Sequence, residues 1–300
     1  MKDPIIIELL EIVRSKTDKT IKFVFLSGGQ VIEFSYINKD DGKDIICAPT
    51  QTACNLGCKF CFLSDIKLPV RNLMPYEIIV PVYFIIKELR LLEKKMADTA
   101  LLISYMGCGE PLLNIDNVIE ASRVIRNQMG SSYKVVRFAA ASLIPALSLM
   151  EKFIEEMKRN GLKVKFHLSL HSADPMVRKG LMPSAGLIEE SIELVEKFVR
   201  LTGNSAEIHY ALIQNVNDRD MDAKALIALL ARKSISVKFL AYNAKPSVNF
   251  EGSERVEYFQ TMLGLAGIQT EFYRPPGWDV GSSCGQFLMN YYLKYKKTGE

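Results

Sequence analysis

From Ile45 onward, the hydrophobic positions alternate between two periods. Short runs rich in apolar and β-branched residues predict strands over Ile45–Pro49, Ala100–Met106, Lys134–Ala141, Val164–His171, Ala206–Ile213, Ser236–Tyr242 and Ile268–Tyr273. Between them, Pro75–Lys94, Asp116–Met129, Pro145–Arg159, Leu187–Leu201, Asp220–Arg232 and Ser253–Leu265 carry apolar residues at helical spacing. Pro75, Asp116, Pro145 and Asp220 stand near predicted helix starts, and Gly130, Gly161 and Gly203 lie just past ends. Strand-then-helix repetition implies parallel strands joined by right-handed crossovers. Six or seven such units predict an α/β fold, an open and partial (β/α)6 barrel rather than a closed eight-fold one.

Ahead of the barrel, Lys22–Leu26 and Val31–Ile37 flank Ser27-Gly28-Gly29-Gln30 and predict a β-hairpin, preceded by a short N-terminal helix. The chain thus divides into an extension over residues 1–43 and a barrel over residues 44–300, whose last loop carries Cys284. No repeat or low-complexity tract interrupts it, and Lys294–Glu300 reads as a frayed basic tail.

Composition narrows the picture modestly. Three hundred residues with 48% hydrophobic content can bury a full core. The net charge is only +4, from 38 basic and 34 acidic side chains, which suits a small-molecule enzyme or an RNA modifier with a local basic patch. A protein that coats nucleic acid electrostatically would be more basic. No stretch approaches the roughly 18 consecutive apolar residues of a membrane span, and the Ile5-Ile6-Ile7 run, followed by Glu8 and Glu11, lacks a cleavage signature. The expectation is a cytoplasmic monomer. Six cysteines are too few for a secreted disulfide framework, and their clustering points to metal or redox chemistry.

Cys54-x-x-x-Cys58-x-x-Cys61 places three soft ligands on one short loop after the first barrel strand, with Gly57 permitting a tight wrap. Three ligands leave one metal position open for chemistry, whereas four would close a structural site. A zinc site completed by a distant histidine is the alternative, but no second Cys-x-x-Cys is present. The spacing, with Phe60 just before the third cysteine, resembles the signature of the radical S-adenosylmethionine (SAM) superfamily. That resemblance implies a [4Fe–4S] cluster on Cys54, Cys58 and Cys61, with SAM bound to its open iron. At the end of the second barrel strand, Met106-Gly107-Cys108-Gly109-Glu110-Pro111 exposes backbone for close ligand approach. Glu110 can accept hydrogen bonds from a ligand ammonium. The resemblance makes Gly109 and Glu110 part of the motif that binds the methionine amino group of SAM. Cys108 reads as a tolerated small residue.

Two further thiols stand apart from the triad. Cys284 lies in the glycine-flanked loop Gly277–Gln286 after the last strand, and Cys47 lies seven residues before Cys54. A lone cysteine is usually a small buried hydrophobe, but barrel geometry can bring both to one mouth as nucleophile and resolver. Here the resemblance becomes specific to the RlmN/Cfr family of radical SAM RNA adenine methyltransferases. The matching pieces are Cys47, Arg71-Asn72-Leu73 with Glu77-Ile78, Met106–Asn114, Ser169-Leu170-His171, and Arg178 with Leu181-Met182-Pro183. Val216-Asn217-Asp218, Tyr242-Asn243 and Gly277–Gln286 complete the set, which spans roughly residues 20 to 290 in the family's order.

The resemblance implies that one SAM methylates Cys284 and that a second yields a 5′-deoxyadenosyl radical, which takes hydrogen from the S-methyl group. The resulting methylene adds to carbon 2 of adenine, ahead of carbon 8, in a ribosomal or transfer RNA. Cys47 then attacks the bridging sulfur, forming a disulfide with Cys284 and freeing the methylated base. Glu33, fourteen residues before Cys47, takes the place of the family's general base. Ser169, Leu170, His171 and Asn243 take those of its SAM contacts, and flavodoxin or ferredoxin that of the electron donor. His167 fits a hydrogen-bonded core histidine better, and His209 a local structural role.

The pattern departs from the family in three places. Only Met1–Thr20 precede the hairpin, where the family carries a helical accessory domain that docks RNA. Phe62–Pro69 replaces a glycine-rich stretch, and Ala139-Ala140-Ala141 replaces strand-end serines, leaving Ser142 as the nearest hydroxyl. The same radical chemistry on a small heteroaromatic molecule or a peptide is therefore the alternative function. Lys294, Lys296 and Lys297, interleaved with Tyr291, Tyr292 and Tyr295, are candidate RNA contacts, against the reading of a solvated terminal helix.

Overall fold

The apolar runs pair into one sheet whose strand order repeats the order of the chain. The computed structural model describes residues 6–38, 40–91, 98–281, 286, 291 and 292. The strands are β1 (Ile7–Arg14), β2 (Ile21–Ser27), β3 (Gln30–Asn38), β4 (Lys43–Cys47), β5 (Ala100–Tyr105), β6 (Val135–Ser142), β7 (Val164–Ser169), β8 (Ser205–Ala211), β9 (Ser236–Leu240) and β10 (Thr270–Tyr273). Each is hydrogen-bonded to the next. Pairing is antiparallel from β1 to β4 and parallel from β4 to β10. Helices α1 (Pro75–Glu88), α2 (Ile115–Met129), α3 (Leu147–Asn160), α4 (Pro175–Leu181), α5 (Ile188–Thr202), α6 (Asp220–Leu230) and α7 (Val256–Leu265) fill six crossovers, with α4 and α5 sharing one. This is the expected open (β/α)6 plan. No helix among the described residues is long and apolar enough to cross a membrane.

The expected N-terminal helix is corrected to a strand. In β1, Ile7 and Leu9 turn toward the sheet and Glu8 and Leu10 away from it, but a bulge between Leu9 and Glu11 breaks the alternation. One extra residue mimics helical spacing in the sequence, while the β-branched Ile7, Ile12 and Val13 favour extended backbone. The antiparallel strands continue directly into the parallel ones, since Ser35 of β3 faces Cys47 of β4.

Strand side chains alternate between two faces, and the two faces divide the labour. On the outer face Ile46, Ile103, Phe138, Phe166, Ile208 and Phe239 are buried in the main hydrophobic core. Removing each such side chain from water is worth about 1.5–3 kcal/mol, so this face carries the stability. The inner face is left free for chemistry. Its central row runs Lys22, Ser35, Cys47, Ser104, Ala139, Lys165 and Ser205 across β2 to β8.

Beyond β10 the chain returns to the opposite end of the sheet. Asp279 accepts hydrogen bonds from Ser15 Oγ and Lys16 N, both at 2.7 Å, in the β1–β2 turn. Asp18 of that turn accepts one from Gly277 N at 2.5 Å. This latch fixes the start of the loop that leads to Cys284, which lies outside the described residues, as do Lys294, Tyr295, Lys296 and Lys297.

Candidate active site

The cluster loop is held from two sides. Gly57, at φ +73°, turns the chain between Cys54 and Cys58, and Cys61 N donates to Cys58 O at 3.0 Å. Toward α4, Lys59 N donates to Leu181 O at 2.9 Å and Ser184 Oγ to Leu56 O at 3.0 Å. From the β9–α7 connection, the buried Lys245 ammonium donates to Cys61 O at 3.1 Å, Ser64 Oγ at 2.6 Å and Asp65 Oδ1 at 2.7 Å. The stretch after Cys61 is thus a short 3-10 turn clamped by Lys245, where the sequence showed only a departure from the family pattern.

Cys54, Cys58 and Cys61 are half-buried and line a cavity of about 1090 Å³. Burial pushes the Cys54 thiol up to about 11 and drives Cys58 well above the usual range, and Cys61 raises both further. Three converging soft donors that repel one another as thiolates suit a bound iron cation. They hold a [4Fe–4S] cluster with one iron open to SAM.

Across the cavity, the loop after β5 is shaped by close backbone approach. Gly109 has φ +99°, and a Cβ there would sit 2.7 Å from Gln51 N. Both conformation and space therefore demand glycine. Its neighbour Glu110 donates its backbone N–H to Gln51 Oε1 at 2.9 Å, and its buried carboxylate accepts from Leu112 N at 3.0 Å and Leu143 N at 3.3 Å. Ser142, the hydroxyl left beside the alanine run, also hydrogen-bonds this carboxylate. No lysine or arginine pairs with it among the described residues. Burial pushes its pKa up to about 7 against the pull of those hydrogen bonds.

Such a carboxylate suits the ammonium of SAM. Glu110→Gln is expected to weaken SAM binding about 10- to 100-fold, since a hydrogen bond to a charged group is worth about 1.5–3 kcal/mol. In the wild type, affinity should fall as the pH drops below about 7, because the carboxyl then takes up a proton that SAM binding must expel. Isothermal titration with anaerobic protein across pH 6–8 checks both, and an unchanged dissociation constant in Glu110→Gln would remove Glu110 from the SAM site.

The ends of β7, β8 and β9 supply the remaining expected contacts. Ser169, His171 and Asn243 line the cavity. His171 has φ +53°, a conformation uncommon outside glycine. It is held by Asn217, which donates to His171 O at 2.6 Å, and by Ala211 N, which donates to its Nδ1 at 2.9 Å. Burial lowers its pKa to about 3, so the ring is neutral and its Nε2–H is a donor. Phe60 packs on it at 4.7 Å between ring centroids. Asn243 Nδ2 donates to Gln286 Oε1 at 2.7 Å. Leu170 is buried in the main hydrophobic core. Arg178, buried, donates to the carbonyls of Ser169, Leu170 and Leu143 and fixes the strand ends together. The sequence marked Arg178 and Asn217 as matching residues without revealing these scaffolding tasks.

Cys47 is a half-buried thiol that lines the same cavity as the triad. Burial pushes it up to about 11, while the nearby Lys22 cation pulls the other way. Glu33 shares the face of β3 that carries Ser35 and is buried against Lys22, with 3.2 Å between Nζ and Oε2. Cys108 is buried against Leu63, in the bland role expected.

Deeper in the barrel lies a polar group that the sequence did not announce. His167 Nδ1 lies 2.8 Å and His209 Nε2 3.6 Å from Glu207 Oε1. Two histidines and a carboxylate form a zinc-like donor set. Lys165 and Lys238, however, both close on the same carboxylate, Lys238 at 2.5 Å, and Lys238 also reaches Glu271 at 2.7 Å. The cation position is therefore filled by ammonium. Burial raises Glu207, but contacts from His167, His209 and Lys165 outweigh it and hold the carboxyl far below its ordinary range.

The comparisons agree with this geometry. The Radical SAM superfamily profile matches residues 49–226. The probable dual-specificity RNA methyltransferase RlmN of Dictyoglomus turgidum is 31% identical over 297 residues, covering 96% of this chain and 81% of that protein. Its namesake from Thermotoga maritima is 32% identical over 287 residues, covering 94% and 80%. The crystal structure of a radical SAM methyltransferase from Sphaerobacter thermophilus superposes with a TM-score of 0.81 at 26% identity, covering 93% of this chain and 80% of that one. The chain therefore belongs to the RlmN-like family of radical SAM methyltransferases.

Proposed function

We propose that the chain methylates an sp2 carbon of adenine in RNA, carbon 2 ahead of carbon 8, with Cys284 as the methyl carrier, Cys47 as the resolving thiol and Glu33 as the base. The observation that carries this reading is the position of Cys47 at the end of β4, lining the same cavity as the cluster cysteines. The printed names of the relatives, RNA methyltransferases, support the substrate class. When bound, SAM and the cluster supply an electrophilic methyl group and, with one electron from flavodoxin or ferredoxin, a hydrogen-abstracting radical.

The chain's own residues do the rest. The Cys284 thiolate takes the methyl group; once that group has given up one hydrogen atom, its carbon bonds to the ring. Glu33 accepts the ring proton, and the remaining electron would pass to the cluster held by Cys54, Cys58 and Cys61. The Cys47 thiolate then attacks the Cys284 sulfur: an S–S bond forms, the S–C bond breaks, and its electron pair stays on the departing carbon, which is protonated to methyl. An external dithiol reduces the disulfide for the next cycle. Glu110, Ser169, His171 and Asn243 orient SAM.

The test is mass spectrometry of the purified chain, followed by incubation with RNA, SAM and a reductant. Cys284 should carry one added methylene unit of mass, and the RNA should gain one methyl on adenine. An unmodified Cys284 after turnover, with methylation elsewhere, would overturn the reading. The charged inner wall of Lys165, Glu207, Lys238 and Glu271 favours a second reading, in which the same thiol chemistry acts on a small heteroaromatic molecule that enters the cavity whole. Tight RNA binding that weakens steeply with salt would count against it.

A further inference from the structure

The hairpin β2–β3 contributes more than a wall. Lys22 of β2 is paired with Ser35 of β3, and Ser35 with Cys47 of β4, so the three stand in one row on one face. Strands lie about 4.8 Å apart, placing the Lys22 and Cys47 backbones roughly 10 Å from each other, largely within the reach of a lysine stem. Glu33 stands diagonally across the hairpin from Lys22 on the same face. The ion pair is buried, with Lys22 2% and Glu33 7% exposed.

Removing two charges from water is expensive, and a buried pair adds little stability over apolar residues of the same volume. A valine or isoleucine at position 22 would serve the sheet at least as well. The charge at this position therefore points to a task in the site rather than in the fold.

We propose that Lys22 is a positioning residue for the release step, its ammonium orienting the Glu33 carboxylate and favouring the Cys47 thiolate that attacks the Cys284 sulfur. This rests on Cys47 being the resolving thiol. The groups around Cys47 are Lys22 and Glu33 from the hairpin, Ser104 from β5 and Tyr273 from β10. Of these described groups Lys22 is the cation, and it opposes the desolvation that keeps the thiol protonated.

The experiment measures alkylation of Cys47 by iodoacetamide against pH in the reconstituted holoenzyme. Fragment-ion mass spectrometry separates Cys47 from Cys54 and Cys58. Lys22→Met, which keeps the stem and removes the charge, should slow alkylation at neutral pH about tenfold by shifting the midpoint up about one pH unit. Lys22→Arg should stay within about twofold of the wild type. Glu33→Gln removes the competing anion and should speed alkylation, an effect that a purely steric role does not produce.

An unchanged profile in Lys22→Met with its cluster absorbance intact overturns the inference, as does a Lys22→Arg variant as slow as Lys22→Met. If Lys22→Met fails to fold, the Glu33→Gln and Lys22→Arg profiles decide, and no acceleration in Glu33→Gln overturns the inference. The underlying reading fails separately: a Cys47→Ala enzyme that still releases methylated product shows that Cys47 is not the resolver, whatever Lys22 does to its ionisation.

Discussion

Cys58→Ala is expected to leave a folded chain with no SAM cleavage and no methyl transfer. The cluster depends on three thiolates from a single loop; Cys108 is buried with Leu63 in a small core against which Cys54 and Cys61 pack, and Cys47 stands on β4. Two ligands do not hold the cluster, so the radical source is lost entirely and the rate should fall at least ~1000-fold, to background. The fold should survive, because Cys58 packs only at the margin of the minor cluster of Leu143, Leu181, Met182 and Ile213. Deleting one partly buried sulfur costs about 1 kcal/mol. The wild type, reconstituted anaerobically, should bind roughly four irons per chain and release 5′-deoxyadenosine. A variant that kept both iron and cleavage would detach Cys58 from the cluster.

Cys47→Ala should have the second-largest effect, and of a different kind. The cluster loop, Glu110 and the strand-end residues are untouched, so SAM cleavage and bond formation to the substrate should proceed. Release should not. On the proposed mechanism the substrate carbon then stays bonded to the Cys284 sulfur, because the thiolate that would attack that sulfur is gone. The expected result is less than one turnover and a chain whose mass includes the substrate fragment. Denaturing gel shift followed by mass spectrometry of the trimmed adduct reads it directly. Free methylated product at the wild-type rate would show that resolution occurs without Cys47.

Much of this arrangement was legible before any coordinates. The parallel strands and most crossover helices announced themselves because each buries one face in a core of large apolar side chains, and such burial imposes a period on the sequence. Cys54, Cys58, Cys61 and Glu110 were legible because metal and ammonium recognition needs particular residue types at short spacing. The failures have physical causes. The bulge after Leu9 disguised β1 as a helix. Helix α4 is only seven residues long, too short to show a period, although Asp174 capping Met176 N and Val177 N before Pro175 was a local signal.

The inner face was the hardest to read. Lys22, Lys165, Glu207 and Lys238 alternate with apolar residues as solvent-facing positions do, and a period of two does not distinguish water from the interior of a barrel. Lys245 was hidden for another reason. Its contact with Cys61 and Asp65 spans most of the barrel sequence, and no local pattern reports a partner so distant.

The latch between Asp279 and the turn at Ser15–Lys16 has a consequence in time as well as space. During synthesis the turn that receives Asp279 is made 263 and 264 positions before it, so β1 and β2 cannot be joined to the last loop until the whole barrel between them has been translated. Because domains fold largely as units, closure of this latch is a late event of folding.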